Sequence, residues 1–512
     1  MLFINCADHH STGLFKPFFP VSIPYGIAYL MSQLRQKQLP FQYIDQQITP
    51  VTISAIASYV QSAPGIPVIC LSSLSEASSG ALQLSATIKK HFPQTLIILG
   101  GLHASILPEE ILQQPGIDYV FRGEGETVIA DIAEALLNGK DIQGFDGIGF
   151  RNNEGIHLNP LPALVNSLDE IPMLPYDLFD PTRYDFGYIG TSRGCPYNCT
   201  FCCNNLMGSQ KYRAMSPGRI VEELDVLINK YHQNDITFFD DNFLSQKSRI
   251  VKLCELIRER GLDKKSRFMF QARARDASKE LLTELYHSGF RTVFFGIEAA
   301  SEKLLQDIGK KETLEEIHTA IADSRALEYK VMANFLYALP GETLADRMAC
   351  VEMARKENID VVKFNNVVPY PGTAIYDEFK DSAQFHMSPL RQNINSQMVL
   401  VKPFWKKIIF PLLPENTSHR ELRTDLLLSY FAVYFNFYRI KKIFSDKKWG
   451  GVVFRFGSSN AEALKKIPRG LLLFVDLSVK LFFLFFEVLF SKKSLRRKVY
   501  FRTWLHFYRK EY

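Results

Sequence analysis

A chain of 512 residues with 46% hydrophobic content carries enough apolar material for roughly two to four folded domains, which excludes a disordered or fibrous protein. Its formal charge of +6 is uneven: residues 438–512 hold 18 Lys and Arg against 5 Asp and Glu, so the body before them is mildly acidic. Such a tail points to an anionic contact, either lipid headgroups or nucleic acid.

The N-terminus, MLFINCADHH, lacks a charged leader followed by an apolar signal region and reads as an early buried strand, so a cytoplasmic protein is expected. LFINC, IAYLMSQLRQ, VICLSSL, SGALQLSATIKKHF and TLIILGG alternate strand-like with amphipathic helical runs. This α/β rhythm predicts a doubly wound parallel sheet over residues 1–150, with ligands at the carboxyl ends of its strands. Residues 151–185, including the proline-rich NSLDEIPMLPYDLFDPTRYD, read as a linker. GYIGTS, ITFFDDN, RFMFQAR, TVFFGIEAA, VMANFLYALPGE and VVKFNNVVPYPGT then predict about six β/α units over 186–385, fewer than the eight of a closed TIM barrel. From residue 386 to 512 the alternation stops, and a mainly helical, Phe-rich, basic domain is expected.

Within that domain, LLLFVDLSVKLFFLFFEVLF (471–490) is long enough to span a bilayer by hydropathy alone. At about 100° per residue, however, Asp476, Lys480 and Glu487 fall on one narrow polar stripe. The stripe fits a helix lying in a membrane interface beside SKKSLRRK (491–498), on the inner face of the membrane, or a core helix turning its charges to water. VKPFWKKIIFPLL (401–413) is a second apolar and basic patch.

Eight cysteines divide into two groups. Cys6, Cys70, Cys254 and Cys350 stand singly in apolar segments, as buried thiols of a reducing compartment do. The other four crowd into RGCPYNCTFCCNN (193–205), where Cys195, Cys199 and Cys202 are spaced C-x3-C-x2-C directly after a strand. A zinc knuckle would ordinarily add a second ligand pair, and none follows. Three thiolates suit a 4Fe–4S cluster with one iron left open to a substrate or cofactor, and Cys203 is poorly placed as a fourth ligand.

The triplet, with Phe201 before its third cysteine, resembles the hallmark of the radical S-adenosylmethionine (SAM) superfamily. FFDDN (238–242), FGIEAASEKLL (295–305), ALPGET (338–343) and PYPGT (369–373) are similar to strand-end motifs of the subgroup with an N-terminal cobalamin (B12)-binding domain, a likeness covering about residues 1–385. It implies a Rossmann-like cobalamin domain before a partial (β/α)6 TIM-type barrel. It further implies that the open iron chelates SAM, whose cleavage gives a 5′-deoxyadenosyl radical that removes hydrogen from an unactivated carbon. By the same resemblance Asp240 and Asp241 lie near the SAM amino group, Glu298 binds the ribose hydroxyls, and Phe201 and Asn334 border the adenine; each acidic strand end could equally be a helix cap.

In the N-terminal domain, LSSLSE (71–76) and GGLHASILPEE (100–110) put small residues where a macrocycle and its tail would pass close to backbone. They resemble the Ser-x-Leu and Gly-Gly elements of cobalamin domains, which makes Ser72, Leu74, Gly100 and Gly101 the matching positions. Asp8-His9-His10-Ser11-Thr12-Gly13 fits the Asp-x-His-x-x-Gly pattern that supplies a histidine to cobalt, so His10 is a candidate ligand, though a polar loop reads the same way. His103 is an alternative cobalamin contact.

The resemblance implies a methyltransferase acting through methylcobalamin, with electrons from a flavodoxin or ferredoxin, and the apolar helix of the C-terminal region points to an apolar small-molecule substrate (a lipid, an isoprenoid or a tetrapyrrole-like ring). Relatives that form a ring or C–C bond without methyl transfer, as oxidoreductases or cyclases, share these motifs. RNA methylthiotransferases carry three further cluster cysteines in the N-terminal domain, where this chain has only Cys6 and Cys70, and the Phe-rich tail fits a membrane surface better than nucleic acid.

Overall fold

The structure, a computed structural model, describes residues 1–7, 21–206, 211–387, 399–445 and 460–509. Seven strands form the N-terminal sheet: β1 (Leu2–Asn5), β2 (Gln42–Asp45), β3 (Val68–Ser72), β4 (Leu96–Gly100), β5 (Tyr119–Phe121), β6 (Ile148–Asn152) and β7 (Gly155–Leu158), in the order β2-β1-β3-β4-β5-β6-β7. The first five are parallel, as helical crossovers require. β6 and β7 are an antiparallel hairpin. The boundary expected at residue 150 therefore falls inside β6, because a hairpin without a helix breaks the rhythm on which that boundary rests.

The expected linker is partly structural. Its first residues complete β6 and form β7, and Leu168, Ile171, Leu174, Tyr176 and Phe179 are buried in the core shared with the barrel. Tyr176 Oη donates to Glu223 Oε1 (2.6 Å), and Asp185 N donates to Val21 O (2.7 Å).

The barrel strands are β8 (Tyr188–Ile189), β9 (Ser192–Arg193), β10 (Arg213–Ala214), β11 (Asp235–Phe238), β12 (Arg267–Ala272), β13 (Phe290–Glu298), β14 (Lys330–Tyr337) and β15 (Val361–Asn366). Six of them form one all-parallel sheet, β15-β14-β13-β12-β11-β8, as about six β/α units predict. β9 and β10 pair separately. Helices between the strands open on Ser216, Ser278, Thr313 and Thr343, whose side chains accept a backbone N–H of the first turn.

An open barrel leaves β15 as an edge, which invites unwanted pairing. Here the helix His419–Tyr434 covers it. Tyr434 Oη bonds both N (2.8 Å) and O (2.9 Å) of Val362, and Tyr430 Oη bonds both N and O of Phe364 (3.0 Å each). Spaced i,i+4, the two phenols occupy alternate positions of the ladder. The same helix is locked by fully buried Arg347, which bridges Glu342 (2.8 Å) and Asp425 (3.1 Å), while Arg496 closes on Asp425 at 2.6 Å. The C-terminal helices are thus built onto the barrel.

The last long helix, Asn460–Leu489, corrects one expectation. Its polar stripe does not face water: Asp476 and Lys480 are each 2% exposed and pack against residues 400–404. Among the described residues, no helix is long and apolar enough to cross a membrane.

Candidate functional site

Strand order reverses at β1, between β2 and β3, and a cavity of about 930 Å³ opens beyond the carboxyl ends of these strands. Ser72, Leu74, Gly100 and Gly101 line it. The two glycines have different reasons. Gly101 has φ +97°, and a Cβ there would lie 2.7 Å from Ser73 O; at Gly100 a Cβ would meet only Phe121, at 3.7 Å. His103 is buried instead, with Nδ1 3.2 Å from Ser75 Oγ, and is not on the cavity wall. It turns inward because the short helix Leu102–Ile106 presents its second residue to the core. His10 lies outside the described residues.

The cavity continues to the barrel, where Gly190, Arg193, Gly194, Asn204, Phe239 and Asp241 form its other wall. Gly194 precedes Cys195, and Asn204 follows Cys203, so the cavity abuts the cysteine loop. That loop is pinned at its middle: Thr200 N donates to Ile308 O (3.0 Å) and Ile375 N to Thr200 O (3.2 Å). Gly309 (φ +67°) permits the close approach, since a Cβ would lie 3.1 Å from Asn198 O.

Cys195, Cys199 and Cys202 are all partly exposed. Burial raises the Cys195 thiol above its usual range and pushes Cys202 up to about 12. Among the described residues no three Cys, His, Asp or Glu side chains form a single-ion site. A cubane cluster asks for something different, three thiolates each on its own iron. A buried cation supports that anionic fit: Arg273 Nη1 lies 3.7 Å from Cys199 Sγ, and its guanidinium sits 3.7 Å over the Tyr197 ring. Its Nε is buried without a hydrogen-bond partner, which leaves a donor for an anion beside the thiols, while Nη2 faces Glu312 at 3.8 Å.

Adjacent Asp240 and Asp241 diverge. Asp240 is fully enclosed, accepting from Thr191 N (2.9 Å), Thr191 Oγ1 (3.0 Å) and Ser192 Oγ, with burial raising its carboxyl. Both residues follow the end of β11 at Phe238, and Asp240, turned back onto Thr191 and Ser192, is not on the cavity wall where its expected place near the SAM amino group would put it. Asp241 opens onto the cavity and accepts from Asn204 Nδ2 (2.8 Å); the surrounding protein raises its carboxyl as well.

Glu298, at the end of β13, meets Asn334 in the interior of β14, where Asn334 Nδ2 donates to Glu298 Oε2 (2.9 Å) and Asn365 Nδ2 to Asn334 Oδ1 (2.7 Å). Glu298 sits at a register shift with φ +71°, a conformation costly for a side-chain-bearing residue. Gly296 makes room for it, since a Cβ there would lie 2.6 Å from Glu298 Oε1. Phe201 is partly buried against the core. From Glu298 a charged chain runs through Lys310 (3.5 Å) to Glu312 (3.3 Å) and Arg273 (3.8 Å), linking the strand ends to the cysteine loop.

Two sets of residues escape the sequence reading. Arg273 is one; its only signal is the arginine at the end of RFMFQAR. The other is a cluster on the cavity wall: Arg213 holds Glu124 (2.6 and 2.8 Å), and Arg193 holds Glu126 (2.6 Å) and Glu124 (3.2 Å). Burial works against the Glu124 carboxylate, but the bonds from Arg213 and the charge of Arg193 leave its carboxyl below the usual range. These bonds tie the loop after β5 to β9 and β10, and the repeated acids of RGEGE are the feature that could have marked them.

The Radical SAM superfamily profile matches residues 189–354, and that of the B12 binding domain matches residues 18–133. An uncharacterized methyltransferase, PH0819 of Pyrococcus horikoshii, is 30% identical over 69% of this chain and 78% of its own length. The anaerobic magnesium-protoporphyrin IX monomethyl ester cyclase of Cereibacter sphaeroides is 23% identical over 84% and 69%, and the hopanoid C-3 methylase of Methylococcus capsulatus 28% over 57% and 56%. Among solved structures, the radical SAM methyltransferase TsrM of Kitasatospora setae, determined with cobalamin and a 4Fe–4S cluster bound, superposes with a TM-score of 0.62 at 19% identity, covering 76% of each chain.

Proposed function

We propose, from the premise that this chain belongs to the radical SAM superfamily and carries a B12-binding domain, that it methylates an unactivated carbon of an apolar small molecule. The observation that carries this reading is the continuous cavity between Ser72, Gly100 and Gly101 on one side and Gly194 and Asp241 on the other. A methyl donor held on the first wall and a radical source on the second would share one chamber. When bound, the 4Fe–4S cluster and SAM supply hydrogen abstraction, and cobalamin supplies the methyl group.

The chain's own residues bind, orient and shield. Cys195, Cys199 and Cys202 would hold the cluster, with Arg273 balancing its charge. Asp241 would take the SAM amino group, and Glu298, oriented by Asn334 and Lys310, its ribose hydroxyls. Ser72, Leu74, Gly100 and Gly101 would form the floor under cobalamin. The Glu124–Arg193–Arg213–Glu126 cluster ties the two walls of the chamber together. An apolar substrate fits the hopanoid and the protoporphyrin for which two of the relatives are named. The reductant would be of the flavodoxin or ferredoxin class.

The test is anaerobic turnover of reconstituted enzyme with methyl-deuterated SAM and hopanoid and protoporphyrin substrates. Deuterium in the product supports methyl transfer. Ring closure without label supports the second reading, a cyclase, which the 84% coverage against the protoporphyrin enzyme favours.

A further inference from the structure

Between residues 471 and 490 the helix Asn460–Leu489 is turned inside out relative to an ordinary surface helix. Lys480 Nζ donates to Asp476 Oδ2 (2.5 Å) and to Leu400 O (2.7 Å), and Asp476 Oδ1 accepts from Phe404 N (2.7 Å). Glu487 accepts from Thr424 Oγ1 (2.5 Å) and Arg420 Nε (3.2 Å). At about 100° per residue these charges, with buried Leu484 and Val488, occupy an arc of about 120° facing the protein.

The opposite arc, about 200° wide, is exposed and bears no charge. Phe474, Phe482 and Phe490 are 71%, 60% and 77% exposed, and Phe483, Phe485 and Phe486 between 37% and 50%. The hydroxyl of Ser478, the polar residue of this arc, donates back to Phe474 O (2.9 Å). The six phenylalanines alone expose on the order of 600 Å² of apolar surface, at the upper end of what a soluble monomer shows. The strip is about 30 Å long.

We propose that this face lies in the surface of an anionic lipid bilayer, with the helix parallel to the membrane plane. The border of the strip identifies the occupant. Trp405 is 61% exposed, and Lys406 and Lys407 are exposed beside it, immediately after Phe404, whose backbone is bonded to Asp476. Exposed Lys492 and Lys498 follow the other end. An apolar strip edged by tryptophan and lysines matches the depth profile of a bilayer surface, where rings enter the acyl boundary and ammonium groups meet lipid phosphates. A second copy paired on this face would bring the lysine borders into mutual repulsion. The binding mode holds whichever reaction the barrel runs.

The test is flotation of full-length reconstituted protein with phosphatidylcholine vesicles containing or lacking phosphatidylglycerol. The variant is Phe474→Ser/Phe482→Ser/Phe490→Ser, with Lys406→Glu/Lys407→Glu as a second; all five positions are exposed, and circular dichroism and iron content check the fold. The wild type is expected to float with anionic vesicles, each variant to lose more than roughly tenfold of that binding, and neutral vesicles to recover little protein. Equal flotation of wild type and the serine variant overturns the proposal. So does a failure of the wild type to float, including the case where it sediments as a dimer that the serine variant dissociates, which would give the face to a second copy.

Discussion

Gly101→Ala and Gly100→Ala add the same methyl group to neighbouring residues of the cavity floor, with opposite expected outcomes. At Gly101 the backbone has φ +97° and ψ −174°, a region that glycine alone occupies comfortably, so a side chain there costs about 1–3 kcal/mol. The new Cβ would also lie 2.7 Å from Ser73 O and 3.1 Å from Ser73 N. Both are backbone atoms that cannot swing aside, and such overpacking adds about 1–3 kcal/mol. A total near 4 kcal/mol lowers the melting temperature of a domain this size by about 8–16 °C. It also moves Ser72 and Ser73, so cobalamin retention, read from the visible spectrum after desalting, should fall. At Gly100 φ is ordinary and the contact with Phe121 relaxed, so alanine should shift stability by less than about 1 kcal/mol, if anything upward. Thermal unfolding of both variants decides. A Gly101→Ala protein that melts and binds like the wild type, or a Gly100→Ala protein that falls as far, would refute the reasoning.

Cys195→Ala, Cys199→Ala and Cys202→Ala should each strip the reconstituted protein of nearly all its iron, whereas Cys203→Ala should keep it; iron and sulfide analysis tells, and equal loss in Cys203→Ala would break the triplet assignment. Asp240→Ala leaves the buried Thr191 N–H unmet and should cost about 2–4 kcal/mol in urea unfolding, while Asp241→Ala should leave stability unchanged and weaken SAM binding by calorimetry. If Asp240→Ala proves neutral, the inward placement of its carboxylate is wrong. Gly296→Ala should behave as a binding variant: its Cβ would displace the Glu298 carboxylate, the end of a side chain rather than backbone, so SAM affinity should drop about tenfold or more with a smaller loss of melting temperature than Gly101→Ala shows.

Much of this was legible in the sequence because it rests on local pattern. Apolar runs alternating with amphipathic stretches locate the parallel strands of both sheets, and the C-x3-C-x2-C spacing locates the cysteine loop. What the sequence left open depends on partners distant along the chain. Gly100 and Gly101 read alike until Ser73 and Phe121 are placed against them. Asp240 and Asp241 are equivalent acids until the pairing of β11 with β8 sends one toward Thr191 and the other into the cavity.

The helix Asn460–Leu489 shows the same limit most clearly. Its periodicity separates a charged stripe from an apolar face, but the spacing of residues along one helix does not say which of the two faces meets the core. That is settled by Leu400 O and Phe404 N, more than seventy residues earlier, which offer the acceptor and donor that Lys480 and Asp476 need in order to be buried. An ion pair with each member hydrogen-bonded to backbone can be enclosed, whereas leaving either unpaired would cost several kcal/mol. Once the charges are held inward, the phenylalanines have nowhere to go but out. The exposed apolar face is therefore a consequence of how the charges are satisfied, and Asp476→Ala, by leaving Lys480 buried without its ion-pair partner, should loosen the helix and weaken flotation even though every phenylalanine remains.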